Sequence, residues 1–240
     1  MPSRHSARST LRERTRPESD LRAAEECIRL LPAAVGQHDP MTARGPDARE
    51  AFTSKVQALE GLRIQAVDYW DIHNFGPEPA RWDYGDWHHA VMGAQLSTDA
   101  GPVTVTWTNT FHPYGVEVFA DPIERHLVLG EAGPERIGPD VPSRWAPFLD
   151  SPIRKATTWW DQIGLGPSTL QSGEVVALAR VVDVPTAIRL DFEAGHIWFA
   201  AAIPQPPAME GVFIPGDEIM VVFTSEKLRD MGFEDPSFVP

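Results

Sequence analysis

The hexapeptide Val103-Thr104-Val105-Thr106-Trp107-Thr108 decides the fold. Apolar residues and threonines alternate through it. A period of two sends each set to one face, so the pattern predicts an antiparallel strand with Val and Trp inside and threonine toward water. Working outward, Ile188, Leu190 and Phe192 alternate with Arg189 and Asp191, and Leu62 to Trp70 alternates at its start. Ile197 to Ile203 and Met220 to Phe223 are continuously apolar, which predicts strands covered on both faces. The expected fold is mainly β, α+β at most.

Leu96-Ser-Thr-Asp-Ala-Gly101 leads into Val103 to Trp107, and Leu190-Asp-Phe-Glu-Ala-Gly195 leads into Ile197 to Phe199. Each reads as a hairpin with a three-residue loop whose glycine takes positive φ, which only glycine adopts cheaply. The likeness extends further. Leu59, Ala66, Trp70 and Asp71 match Leu149, Ala156, Trp160 and Asp161 at an offset of 90. Leu96, Ala100 and Gly101 match Leu190, Ala194 and Gly195 at 94, and Val118-Phe119 match Val222-Phe223 at 104. The order is kept and the offset grows, as loop insertions produce. Duplication is one reading, and hairpin chemistry alone is the other. Under duplication, two related four-strand units, near 59–119 and 149–223, form an antiparallel sandwich or barrel.

The remaining segments follow. Residues 1–46 are expected as a disordered tail and linker, with a short helix from Ser19 through Leu21, Ala24, Ile28 and Leu31. Met41, just before the globular pattern, is the expected initiator. A helix over 47–59 is expected, capped by Asp47, with Phe52, Val56 and Leu59 on one face and Gly61 ending it. Residues 47–130 then hold this helix and the first β unit. Residues 131–148 form a Pro/Gly-rich connection, and residues 149–240 the second unit and a C-terminal segment. A short helix is expected after Thr224 or Ser225.

Net charge is −13 over 240 residues, unevenly spread. Residues 1–50 carry nine Arg against eight acids, and residues 51–240 carry twelve basic residues against 26 acids, for −14. So acidic a body repels phosphate backbones and anionic lipid, arguing against nucleic-acid and membrane partners. The one cysteine, Cys27, forms no internal disulfide, and the cytoplasm is the expected compartment.

Functional side chains are densest in Arg81-Trp-Asp-Tyr-Gly-Asp-Trp-His-His89, with Phe111-His112-Pro113-Tyr114 and His73 nearby in sequence. By offset their second-half counterparts are mostly apolar, which places an added polar site on the first half. On a strand His88 and His89 point to opposite faces. A metal set of His73, His88, His112 and Asp86 suits Zn, Fe or Ni, although no HExxH or paired CxxC is present. Neither a GxSxG elbow nor a phosphate-binding GxxxxGK[ST] loop occurs. Asp71 and Asp161, each after a Trp, read as structural. Trp82, Tyr84, Trp87, His89 and Tyr114 form the expected contact set, with exposed rings that stack on a ligand or plug into a partner; the alternative for the rings of Trp82, Tyr84 and Trp87 is that they fold back as the loop's own small core. The expectation is a non-catalytic cytoplasmic binding protein with a protein or small-molecule partner and no cofactor. The alternative is a divalent-metal enzyme of hydrolase or oxygenase type on a β scaffold.

Overall fold

The alternating hexapeptide lies in β4 (Gly101–Thr108), inside a five-stranded sheet. A computed structural model of the chain describes residues 46–72, 81–111, 114–131, 133–170, 172–205 and 211–233, all of one compact unit. The first sheet runs β5 (Gly115–Phe119), β4, β3 (Gly93–Thr98), β1 (Ile64–Trp70), β6 (Glu135–Gly138). The second runs β2 (Trp87–His89), β14 (Ile219–Val222), β11 (Gly195–Ala201), β10 (Arg180–Phe192), β7 (Lys155–Leu165). Every pairing is antiparallel. Two small ribbons pair β8 (Ser168–Thr169) with β9 (Val175–Ala177), and β12 (Ile203–Pro204) with β13 (Val212–Phe213).

The two large sheets share no ladder, so they form a sandwich and not a closed barrel. Between them lies one core: Val67, Tyr69, Leu96, Val105 and Val118 from the first sheet meet Ile188, Leu190, Ile197, Phe199 and Val221 from the second. Each fully buried Val, Leu, Ile or Phe contributes about 1.5–3 kcal/mol, so this layer holds the sheets together. Helix α1 (Pro46–Gln57) adds Phe52 and Val56, both buried, and Phe52 meets Trp160 edge-on at 5.7 Å. Strand β11 is covered on both faces, as its continuous apolar run predicts. Ile197, Phe199 and Ala201 join the central core. Trp198 and Ala200 join a second cluster under helix α2 (Ser225–Asp230), with Leu228, Met231 and Phe233. Thr224 caps α2 by accepting the Lys227 N–H. Among the described residues no helix is long and apolar enough to cross a membrane.

Several expectations need correction. Thr104 and Thr106 face away from the core but are fully buried, not toward water. The segment after β5 folds over that face, with Ile123 buried, and the threonines stay polar-satisfied: Thr104 Oγ1 donates to the Asp121 carbonyl (2.8 Å) and Thr106 Oγ1 to that of Met92 (2.5 Å). The hairpin loops are two residues, Asp99-Ala100 and Glu193-Ala194, closed by the pairs Thr98–Gly101 and Phe192–Gly195. Both glycines do take positive φ, +122° and +137°. Part of 131–148 is not a plain connection: residues 135–138 are a strand, and Trp145 is fully buried. The expected tail lies outside the described residues, apart from Pro46, which opens α1.

The two sheets contain the same meander: β1-β3-β4-β5 in one, β7-β10-β11-β14 in the other. The hairpins coincide at the offset of 94, but the outer strands do not coincide at 90 and 104. Trp70 pairs with Gly93, and the equivalent Ala187 pairs with Trp159, not Trp160. Likewise Val105 pairs with Val118, and the equivalent Phe199 pairs with Val221, not Val222. A slip of one residue exchanges faces. Those flanking identities therefore do not occupy matching sites.

Candidate functional site

The segment 81–89 is itself a small hairpin. Tyr84 N–H donates to the Trp87 carbonyl (3.0 Å) and His89 N–H to that of Trp82 (2.8 Å). Asp83 closes the turn by accepting the Gly85 N–H at 2.7 Å. Its return strand is β2, which pairs with β14 and so belongs to the second sheet, not the first half. As expected on a strand, neighbours alternate in direction. His88 points into the core between the sheets, and Trp87 and His89 point outward.

His88 is fully buried and is walled by the rings of Phe223 (4.6 Å), Trp82 (4.9 Å) and Tyr69 (5.7 Å). Its Nδ1 lies 2.8 Å from the Tyr69 hydroxyl, which lies 2.7 Å from the Trp145 indole nitrogen. An indole nitrogen only donates. Trp145 therefore donates to Tyr69. The phenolic hydrogen is then available to His88 Nδ1, an arrangement that fits a neutral His88 with its proton on Nε2. Burial pushes its pKa down to about 4; nearby Asp83 acts in the opposite sense, and Arg144 adds to the lowering. Burial also raises Tyr69 well above an ordinary tyrosine. Among the described residues His88 Nε2 has no hydrogen-bond partner, and the Asp83 carboxylate lies 3.8 Å away. The relay is a buried polar strut joining β1, β2 and the 143–150 turn.

The other expected contact residues are equally engaged. Trp82 packs against the central core. Trp87 is buried and stacks face to face on Tyr84 at 4.1 Å, and the Arg81 guanidinium lies 4.6 Å from the Tyr84 ring centre. Lys227 lies over the Trp87 ring. His89 Nε2 donates to Glu218 at 2.7 Å. Asp86 accepts from Arg144 at 2.7 Å. Tyr114 packs edge-on against Trp107 in the first sheet, whereas β2 belongs to the second. The rings therefore form the hairpin's own small core and do not present an open platform.

His73 and His112 lie outside the described residues. Of the metal set, His88 and Asp86 remain, one committed to Tyr69 and the other to Arg144. Among the described residues no three His, Cys, Asp or Glu side chains gather as metal ligands. Asp71, at φ +54°, accepts the Gly130 N–H on both carboxylate oxygens (2.9 Å each), and Asp161 accepts from Thr186 and Trp159. Both act structurally.

Sequence reasoning missed Tyr69 and Trp145, which fix His88, because the three residues meet only through tertiary contact. It also missed an arm. β7 and β10 continue together as a paired ribbon to Leu165 and Arg180, and the β8–β9 ribbon forms the tip. Leu170, Val175, Val176, Leu178 and Val181 are 51–80% exposed there. The clue was the apolar run Val175 to Ala179, which by pattern alone resembles a buried strand. No family model, curated protein or solved structure matches this chain.

Proposed function

We propose that this chain is a non-catalytic interaction protein whose contact surface is the arm, residues 162–183, and not the aromatic hairpin. One observation carries the reading: among the described residues, of the seven large apolar side chains more than half exposed, five lie on the arm and two, Val128 and Phe213, lie elsewhere. An apolar group concentrated in one place marks a contact surface, whereas singly scattered ones do not. The rings of segment 81–89 are consumed by their own packing, which leaves them little area to offer. The single cysteine supports a reducing compartment such as the cytoplasm. The four-strand meander common to both sheets supports descent from a duplicated unit, with the flanking strands slipped by one residue since.

Site-specific photo-crosslinking in the native cell tests this. A photoreactive residue at Leu178 is expected to yield a discrete crosslinked product, and one at Gly85, on the hairpin turn, none. Crosslinks from Gly85 alone refute the assignment.

A further inference from the structure

Granting that the arm is the contact surface, we infer that its occupant is a second copy of this chain, paired across a two-fold axis through β7. Three features lead there.

The first is charge. The chain carries −13, yet residues 162–183 hold only two acids, Glu174 and Asp183, and one base, Arg180, and Asp183 is paired with Arg49 at 3.7 Å. A basic partner is drawn to the acidic body, where the charge lies, and an acidic partner is repelled by it. The weakly charged arm is where two equally acidic copies meet with least repulsion. Its acid Glu174 and its base Arg180 also allow reciprocal pairing, Glu174 of each copy with Arg180 of the other.

The second is the sheet edge. β7 is an outermost strand of the second sheet and runs for 11 residues. Natural edges are blunted by Lys, Pro or a covering element. Glu60 accepts the Ala156 N–H at 3.1 Å at the start, and helix α1 packs at Trp160, whose ring meets Phe52 and Arg49. From Ala156 to Leu165 the edge contains no Lys, Arg or Pro, and its one charged side chain, Asp161, is occupied by Thr186 and Trp159. An antiparallel edge pairs with its own copy about a two-fold axis, so one surface serves both partners, as an isologous dimer requires. The pairing would join two five-stranded sheets into one of ten.

The third is size. A standard interface uses about 20–30 residues a side. The described arm residues, 162–170 and 172–183, number 9 + 12 = 21. They match that requirement with the apolar side chains already outward.

Sedimentation of the purified full-length chain tests the inference. The native protein should sediment at twice the chain mass of 26.6 kDa. Val176→Glu with Leu178→Glu should halve that mass and leave the circular dichroism unchanged. Amide exchange read on the native chain needs no variant: amides of residues 157–165 should exchange more slowly as concentration rises. A native monomer whose β7 exchange is independent of concentration overturns the second-copy proposal. If Leu178 still crosslinks to a different protein, the arm remains the contact surface. A dimer unaffected by the double substitution also overturns the proposal, since its interface lies elsewhere.

Discussion

Acidification should weaken the fold through His88, and the size of the effect follows from its surroundings. The folded pKa is about 4 against an ordinary 6.5, the shift coming from burial. Between these values the unfolded chain binds a proton that the folded chain refuses. The unfolded state therefore holds more protons, and stability falls as pH drops through that window. A depression of roughly 2.5 pKa units corresponds to about 3 kcal/mol, fully present near pH 7 and gone by about pH 4. Carboxylates titrate nearby, so the measurement is a difference. His88→Gln keeps an acceptor for the Tyr69 hydroxyl and removes the titration. Urea unfolding of both proteins from pH 7.5 to pH 4 gives two stability curves. The native curve should descend toward the variant's by about 3 kcal/mol across this range, most steeply below pH 6.5. Parallel curves would refute the neutral, Nε2-protonated assignment, as would an imidazole NMR signal for His88 titrating near 6.5.

Two further substitutions examine the same framework. Tyr69→Phe removes one hydroxyl and strands two buried groups, the Trp145 indole N–H and His88 Nδ1; a loss of about 1–3 kcal/mol by chemical denaturation is expected. Gly130→Ala places a Cβ 2.7 Å from Asp71 Oδ1, inside van der Waals contact, so the Asp71 clamp on that loop must open; a destabilisation of about 1–3 kcal/mol by thermal melt is the expected result.

Local chemistry was legible where the local pattern had one physical outcome. Phe52 and Val56 share a buried face because 3.6 residues per turn bring positions four apart together, whereas Leu59, also buried, lies in the turn past the helix end at Gln57 and not in the expected helix. Thr224 caps α2 because its hydroxyl sits three residues before an unpaired N–H. Elsewhere the pattern had two outcomes. Thr104 and Thr106 alternate with valine whether their face meets water or a covering loop, and only the fold of residues 120–131 decides. Val175 to Ala179 resembles a covered strand, yet among the described residues nothing covers the arm. For the threonines the alternation gave the facing of a side chain correctly and left open what lies opposite it.

The same distinction explains why the aromatic hairpin drew attention and why it packs inward. β2 pairs in the second sheet, yet its hairpin packs Trp82 and His88 against Tyr69 of the first, while Tyr84 and Trp87 stack on each other. A strand of three residues has little ladder to hold it, with only three paired positions on β14. Dense aromatic packing and the Trp145–Tyr69–His88 strut replace the missing backbone bonds. Rings, histidines and carboxylates in close sequence thus have a structural cause here, and the arm proposed to meet a partner holds no aromatic ring or histidine and two carboxylates, Glu174 and Asp183.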